Sequence, residues 1–154
     1  MILAKASTED VETICAIETE AFTRPWSRRA IVEELLFPEG LPYVAKRKQS
    51  PQASASAIGY LFVRFLTDEM HIMKIAVAAK WRKLGMATSL LAAAQEEAKR
   101  RGVASTILEV RASNLGAIQF YQQFGFQTIG IRTNYYPPTG ENALVMSKSL
   151  KEES

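Results

Sequence analysis

Strand-like and helix-like segments alternate along this chain, and this alternation restricts its fold more than any other feature. Residues 57–66 form an apolar run of strand length, and a second apolar segment follows a short polar link and extends to about Val77. Beyond Gly85, apolar residues instead recur at helical spacing as far as Arg101, where Gly102 supplies a stop. The pattern predicts a mixed α/β domain with one central sheet, in which the two adjacent strands pair antiparallel.

The complete order is strand, two helices, three strands, helix, strand, helix and two strands. The predicted strands cover residues 2–6, 41–46, 57–66, 70–77, 104–110, 126–133 and 142–148. The predicted helices cover residues 8–21, 28–36, 86–101 and 115–124, with caps at Ser7 or Thr8, Ser27 and Asn114. Polar residues 49–56 are expected to form a flexible hairpin loop, and residues 134–140 are expected to link the last two strands.

The length of 154 residues is typical of a single domain, here spanning residues 1–154. One cysteine, Cys15, excludes an internal disulfide framework, and its apolar neighbours favour a small buried side chain over a nucleophile. One histidine, His71, leaves no motif with zinc-ligand spacing, so we expect no metal. No apolar run reaches the roughly 18 residues of a membrane span, and the N-terminus lacks a signal-peptide pattern. We therefore expect a soluble cytoplasmic protein.

The formal net charge of +3 and the isoelectric point of about 9.1 describe a mildly basic chain. Runs such as Glu33-Glu34 and Glu96-Glu97 lie beside basic residues and are typical of solvated helix faces. A nucleic-acid-binding domain is one interpretation of the basicity, but such a domain more often carries a basic stripe with interleaved aromatic residues. Attraction of an anionic cofactor, or an encounter with ribosomal material, accounts better for this charge, and no direct nucleic-acid binding is expected.

The segment from Ile75 to Thr88 leads from a strand into a helix and is a candidate phosphate-binding turn. A helix N-terminus presents unpaired N–H groups and a partial positive charge. Gly85 allows close approach of an anion to the backbone, and Arg82 and Lys83 add charge nearby. An ordinary helix start with a loop glycine is the simpler interpretation of Gly85 alone. The segment is neither a Walker loop nor a dinucleotide-binding turn, since both need other glycine patterns.

The pattern Arg82-x-x-Gly85-x-Ala87 resembles the acetyl-CoA turn of the GCN5-related N-acetyltransferase (GNAT) superfamily, with Ala87 where the superfamily usually has glycine. Further segments are similar to the RimI-type ribosomal-protein-alanine acetyltransferases: residues 22–27, 75–77, 108–114, 117–121, 124–126 and 132–137. Matches in this order cover almost the whole chain, and the specific part is residues 75–137. The resemblance implies the GNAT fold, a mixed, mostly antiparallel sheet of about seven strands flanked by four helices.

The resemblance implies two catalytic residues. Glu109 corresponds to the proposed base, and it is the only carboxylate in an apolar run, where burial would disfavour its charged form. From periodicity alone, Glu109 is a partly exposed strand-end residue that pairs with Arg111. Tyr121 is the candidate acid for the departing thiolate, although its position also suits an amphipathic helix that packs on a sheet. Direct transfer is expected, with no acetyl-enzyme on Cys15.

The resemblance also implies binding residues for acetyl-CoA and for the acceptor. The strand residues Ile75, Ala76 and Val77 are expected to pair with pantetheine beside a bulge, and their N–H groups to polarise the thioester. Asn114 is expected to cap its helix and to touch the pantetheine arm or a neighbouring amide. The turn is expected to hold the phosphates through Arg82, Lys83, Leu84, Gly85, Met86, Ala87 and Thr88. Trp26 and Tyr135 are candidates for the acceptor groove, with at most one of Tyr135 and Tyr136 facing inward.

The leading hypothesis is therefore an acetyl-CoA-dependent Nα-acetyltransferase that acts on an N-terminal alanine of a ribosomal protein and releases CoA. A GNAT enzyme acting on a lysine side chain or a small-molecule amine is the alternative. A non-catalytic acyl-CoA-binding module is a third interpretation, which the joint presence of Glu109 and Tyr121 disfavours.

Overall fold

The computed structural model describes residues 1–151, in which seven strands and four α-helices follow the predicted order. The strands are β1 (Ile2–Lys5), β2 (Gly40–Arg47), β3 (Ser56–Leu66), β4 (Glu69–Val77), β5 (Ser105–Arg111), β6 (Gln127–Tyr136) and β7 (Glu141–Ser149). The helices are α1 (Val11–Ala21), α2 (Arg28–Leu35), α3 (Met86–Arg100) and α4 (Leu115–Gln123). Two short 3-10 turns, Thr8–Asp10 and Ala79–Trp81, precede α1 and α3.

The strands form one sheet in the order β1-β2-β3-β4-β5-β7-β6. Every neighbouring pair is antiparallel except β4 and β5, which run parallel on either side of the α3 crossover. The predicted mixed and mostly antiparallel architecture is therefore confirmed. Strand β6 runs further than predicted, because Tyr136 still pairs with Glu141 and limits the last turn to residues 137–140.

Strand β3 is buried on both faces, which explains its uninterrupted apolar sequence. Tyr60 and Phe62 point into one core with α1 and α2, whereas Leu61 and Val63 point into a second core with α3 and α4. The predicted apolar face of α3 is confirmed, since its members are fully buried in that second core: Leu90, Leu91, Ala94 and Ala98.

Ion pairs connect the first two helices to the sheet. Glu34, predicted within a solvated run, is instead only 4% exposed. Its two oxygens accept hydrogen bonds from Arg64 of β3 at 2.6 and 3.0 Å. Burying a carboxylate between a helix and a sheet costs free energy unless a cation pairs with it, and Arg64 is the cation that pairs with Glu34. Two further pairs follow the same arrangement: Asp10–Lys46 and Glu18–Lys74.

Strands β4 and β5 separate soon after they meet. Only residues 69–71 of β4 pair with residues 105–107 of β5. The remaining residues of these two strands do not pair with each other. On its other side β4 carries a bulge at Met73, because Ile72 pairs with Val63 and Lys74 pairs with Phe62. A bulge increases local strand twist, so the two strands diverge and leave a wedge-shaped opening in the sheet.

No helix within residues 1–151 has the length and apolar character needed to cross a membrane.

Candidate active site

Two cavities meet inside the opening between β4 and β5. The larger cavity, of about 600 Å³, is lined by residues 72–75 of β4, residues 108–111 of β5 and the loop between α1 and α2. The smaller cavity, of about 350 Å³, lies between the end of β4, the turn into α3, and α4. The two share Ile75, Ala117 and Tyr121 as lining residues. A molecule bound in one cavity therefore reaches the other past the Tyr121 side chain.

The smaller cavity contains unpaired backbone donors. The first backbone hydrogen bond of α3 runs from Ser89 N to Gly85 O at 3.0 Å, so the amides of residues 86–88 precede it. Gly85 caps the helix with φ +81°, and a side chain built on it would meet no other atom of the protein within 4 Å. Because a helix N-terminus carries partial positive charge, this turn is suited to bind a phosphate group.

Most of the residues predicted to bind the cofactor line this smaller cavity. They are Ile75, Ala76, Val77, Arg82, Lys83, Gly85, Met86, Ala87 and Thr88. Leu84 does not line it and is exposed, whereas Asn114 lines the larger cavity. Arg82 donates through Nε to Val77 O at 2.9 Å, which fixes its guanidinium beside the turn. Amides, a guanidinium and an ammonium form a donor set that fits the diphosphate of acetyl-CoA.

Glu109 lines the larger cavity, but the predicted burial of its side chain is wrong. Leu108 and Val110 point into the core, so Glu109 points to the opposite face, where its side chain is 32% exposed. Arg132 Nε lies 3.3 Å from Oε1, and the Tyr135 hydroxyl donates to Oε2 at 3.0 Å. The alternative, a partly exposed Glu109, is confirmed in its exposure. Its expected pairing with Arg111 is wrong, because Arg111 pairs with Glu141 at 3.4 Å.

Tyr121 separates the two cavities and is only 6% exposed. Its ring packs edge-on against Phe120 and Phe126, with centroids 5.3 and 5.5 Å away. Its hydroxyl makes no hydrogen bond to any side chain or backbone group of residues 1–151. Burial raises the pKa of Tyr121, so the hydroxyl keeps its proton at neutral pH. The structure thus brings Glu109 and Tyr121 to the same cavity, as the resemblance implied.

Asn114 has the predicted capping role. Its side-chain oxygen accepts from Ala117 N at 3.2 Å and begins α4, the helix that carries Tyr121. Because Asn114 also lines the larger cavity, one residue both orders the helix and faces the opening.

The aromatic candidates for the acceptor groove lie in different places. Trp26 lines the larger cavity and stacks on Phe62 with centroids 6.1 Å apart. Tyr136 lines it as well, beneath the Arg111 guanidinium at 4.1 Å. Tyr135 lies outside the set of lining residues and reaches the site through its hydrogen bond to Glu109. The inward-facing member of the tyrosine pair is therefore Tyr136.

A buried cluster around Glu18 was missed from sequence. Glu18 is 1% exposed and accepts from the Tyr60 hydroxyl, from Lys74 Nζ and, at 2.7 Å, from the Trp26 amide. Lys74 Nζ also lies 3.9 and 4.9 Å from the ring centres of Phe22 and Trp26. The cluster joins α1, β3 and β4 to the loop that lines the larger cavity.

Opposing influences act on the ionisable groups of this cluster. Burial lowers the pKa of Lys74, and the hydrogen bond to Glu18 acts in the opposite direction. Burial and the same carboxylate raise the pKa of Tyr60. A sequence signal existed: Glu18 follows the core residue Ile14 by one helical turn, and Lys74 lies within an apolar strand.

Residues 1–151 contain no cluster of three or more His, Cys, Asp or Glu that could hold a metal ion. Cys15 belongs to the α1 side of the core and lines neither cavity.

This chain matches a family model over most of its length, and it matches relatives along almost their entire length. Residues 11–126 match the model of the Acetyltransferase (GNAT) family. The [ribosomal protein bS18]-alanine N-acetyltransferase of Escherichia coli K12 is 33% identical over 148 residues, which cover 94% of this chain and 95% of that protein. The protein of the same name from Haemophilus influenzae is 32% identical over 150 residues, covering 95% of this chain and 97% of its own.

Among solved structures, the ribosomal-protein-S18-alanine N-acetyltransferase from E. coli superposes with a TM-score of 0.87 at 28% identity. The match covers 99% of this chain and 96% of the other.

Proposed function

Because the chain belongs to the GNAT family of acetyltransferases, we propose that it acetylates the N-terminal α-amine of a ribosomal protein that begins with alanine. The observation that carries this proposal is the meeting of two cavities at Tyr121, one with phosphate-binding chemistry and one containing a carboxylate. The acceptor class follows from the names of relatives that match along almost their entire length. Such an acceptor places the enzyme in the cytoplasm.

The smaller cavity is the proposed donor site. Acetyl-CoA, when bound, supplies an acetyl group already activated as a thioester. The amides of residues 86–88, with Arg82 and Lys83, are the proposed phosphate ligands, and the Ile75–Val77 backbone is the proposed support for the pantetheine arm. The Tyr121 wall, shared by both cavities, marks where the acetyl carbon must lie for an amine in the larger cavity to reach it.

The larger cavity is the proposed acceptor site, with Glu109 as its base. An α-amino group has a pKa of about 7.7–8.0, against about 10.4 for lysine, so an N-terminal amine loses its proton much more easily at neutral pH. Glu109 accepts that proton directly or through one water, since its side chain is open to the cavity. Arg132 and Tyr135 restrain the two carboxylate oxygens and so orient the group.

Tyr121 is the proposed acid. The hydroxyl stays protonated at neutral pH because burial raises its pKa. It is not engaged by another side chain of residues 1–151, so its proton is available to a thiolate at the junction of the cavities. Transfer is direct from donor to amine, with no covalent enzyme intermediate.

The test compares three acceptors at equal concentration with acetyl-CoA. One is a peptide that begins with alanine and contains no lysine. The second is the same peptide with a blocked N-terminus and one internal lysine, and the third is a polyamine. Thiol release gives kcat/KM, and mass spectrometry locates the acetyl group. We expect the free alanine N-terminus to be acetylated fastest. Equal or faster turnover of the lysine peptide or the polyamine would reject the proposal.

A further inference from the structure

The loop between α1 and α2, residues 22–27, forms one wall of the larger cavity. Four of its side chains line this cavity: Phe22, Thr23, Arg24 and Trp26. Within residues 1–151, the backbone of residues 23–26 makes a single hydrogen bond, from Trp26 N to a carboxylate oxygen of Glu18 at 2.7 Å. A loop with so few backbone hydrogen bonds takes its position from the groups that do hold it, and Glu18 is the first of these groups.

Lys74 of β4 is the second group that holds the loop. Its Nζ lies 3.9 Å from the ring centre of Phe22 and 4.9 Å from that of Trp26. Cation–π attraction at these distances keeps both rings beside the ammonium group. Lys74 is itself paired with Glu18. One carboxylate therefore holds the loop twice, through its backbone and through the cation that its rings contact.

The bulge at Met73 turns Lys74 toward Glu18. Side chains of a regular strand alternate between the two faces of a sheet. Ile72 and Ile75 pack in the core with α3 and α4. Met73 packs in the core with α1 and α2, and Lys74 pairs with Glu18 of α1, so two consecutive side chains share one face. The bulge that widens the opening in the sheet thus also brings a cation to the loop.

Charge balance alone does not account for Glu18. An apolar pair of similar volume often replaces a buried ion pair without loss of stability. An apolar side chain cannot, however, accept a hydrogen bond from the Trp26 amide, which is the contact that reaches the loop. The property of Glu18 that an apolar residue could not replace is therefore its hold on the wall of the larger cavity.

We propose that Glu18 is a positioning residue for the acceptor, because it holds the loop against which the N-terminal residue of the acceptor binds. The inference rests on the proposed function of the larger cavity as the acceptor site. Glu18 lines neither cavity, so it acts only through the loop. Losing its hydrogen bond to Trp26 should weaken binding of the acceptor. Binding of acetyl-CoA should be unchanged, since residues 22–27 do not line the smaller cavity.

Two double variants separate this hydrogen bond from the charge. Glu18→Gln/Lys74→Met removes both charges and keeps a side-chain oxygen for the Trp26 amide. Glu18→Met/Lys74→Met removes both charges and that oxygen, and methionine has almost the length of glutamine. Kinetics with a peptide that begins with alanine give kcat and the acceptor KM, and calorimetry gives the Kd for acetyl-CoA. We expect the second variant to have about 10 times the acceptor KM of the first, with the same kcat and Kd.

Hydrogen exchange of the ligand-free enzyme adds a measurement that does not depend on activity. The amides of residues 23–26 should exchange faster in Glu18→Met/Lys74→Met than in Glu18→Gln/Lys74→Met. The methionine at position 18 also leaves the Tyr60 hydroxyl without its carboxylate partner, so Tyr60→Phe is the matched control. Tyr60 lines neither cavity, and this control should keep the wild-type acceptor KM and the wild-type exchange of residues 23–26.

Circular dichroism checks that each variant is folded, and Glu18→Leu/Lys74→Met replaces the second double variant if that one is not. Equal acceptor KM values in the two double variants overturn the role of Glu18, whether or not the exchange of the loop differs between them. This result leaves the proposed function intact as long as the wild type acetylates the alanine peptide. Failure of the wild type to acetylate any alanine peptide overturns both.

Discussion

Glu109 shows how a single strand residue is kept available for chemistry. Its neighbours in β5 point into the core, but its own side chain points into the opening, where two partners restrain it without burying it. A carboxylate held in this way stays hydrated and oriented. The proposed role of Glu109 is to take a proton from the acceptor amine, so its contribution should depend on the fraction of the amine that is protonated.

Glu109→Gln should therefore lower kcat/KM for an alanine peptide by about 100-fold at pH 7. The deficit should shrink above pH 8, because an α-amine with a pKa of about 7.7–8.0 then loses its proton in solution without help. Rate profiles from pH 6 to 9.5 for both enzymes measure this. Glu96→Gln, an exposed carboxylate on α3, is the control and should follow the wild type. If kcat/KM of Glu109→Gln is lower than that of the wild type by the same factor at every pH, Glu109 is not the base.

Tyr121→Phe should lower kcat by about 100-fold and leave the Kd for acetyl-CoA unchanged, because it removes only a proton donor. Burial raises the pKa of Tyr121 above its usual value near 10, so the acid form persists up to at least that pH. Wild-type kcat should consequently show no decline below pH 10 from ionisation of this residue. Tyr43→Phe, in β2 and outside both cavities, is the control. An alkaline decline below pH 10 that disappears in Tyr121→Phe contradicts the raised pKa, and an unchanged kcat in Tyr121→Phe contradicts the role of acid.

At the scale of elements, α3 has a glycine of the same conformation at each end. Gly85 begins the helix with φ +81°, and Gly102 follows it with φ +74°. The 16 residues between them, 86–101, place the two glycines about 25 Å apart. A side chain added at either position would meet no other protein atom within 4 Å, so a substitution at either strains the backbone by a similar amount.

Gly85→Val and Gly102→Val should each lower the free energy of unfolding by about 1–3 kcal/mol, because valine resists a positive φ. Only Gly85→Val should lose acetyl-CoA affinity, by at least tenfold, since its side chain occupies the space that the phosphates need. Isothermal calorimetry measures the affinity and urea denaturation the stability. Equal binding by the two variants would show that the phosphates bind elsewhere.

The Glu18–Lys74 pair connects α1 to β4 across the core. Lys74→Met should lower the free energy of unfolding by about 3–5 kcal/mol, because Glu18 would remain buried without its cation. The double variant Glu18→Gln/Lys74→Met should lose less than the sum of the two single changes. Lys99→Met, whose partner Glu96 is exposed, is the control and should change stability by less than about 0.5 kcal/mol. Similar losses for Lys74→Met and Lys99→Met in urea denaturation contradict this coupling.

Across the whole molecule, the elements that follow from local chemistry were predictable. Apolar runs, the Ser27 and Asn114 caps and the glycine at the start of α3 set the order of strands and helices. Pairings between distant residues were not predictable, because no local pattern says which face of the sheet a helix will cover. Glu34 was therefore assigned to solvent, and Glu109 to the core. Two of the three partners of Glu18, Tyr60 and Lys74, lie 42 and 56 residues away along the chain.

The opening divides the sheet into a half containing β1–β4 and a half containing β5–β7, whose backbones pair at only three positions. A ligand that binds both sides of the opening adds contacts between the halves and should stabilise the whole fold. Acetyl-CoA at 100 times its Kd should raise the free energy of unfolding by about 2.7 kcal/mol.

Hydrogen exchange should locate that stabilisation. The amides of residues 86–88, which precede the first hydrogen bond of α3, should exchange slowly only when acetyl-CoA is present, because its phosphates then accept from them. Of the two edge strands, β1 lines neither cavity and β6 contributes only Tyr136. The exposed amides of both strands should therefore exchange at the same rate with and without acetyl-CoA. Gly85→Val at the same acetyl-CoA concentration should show a smaller stabilisation and less protection of residues 86–88. If acetyl-CoA protected the amides of β6 and not those of residues 86–88, it would bind outside the opening between β4 and β5. The opening would then not be the binding site.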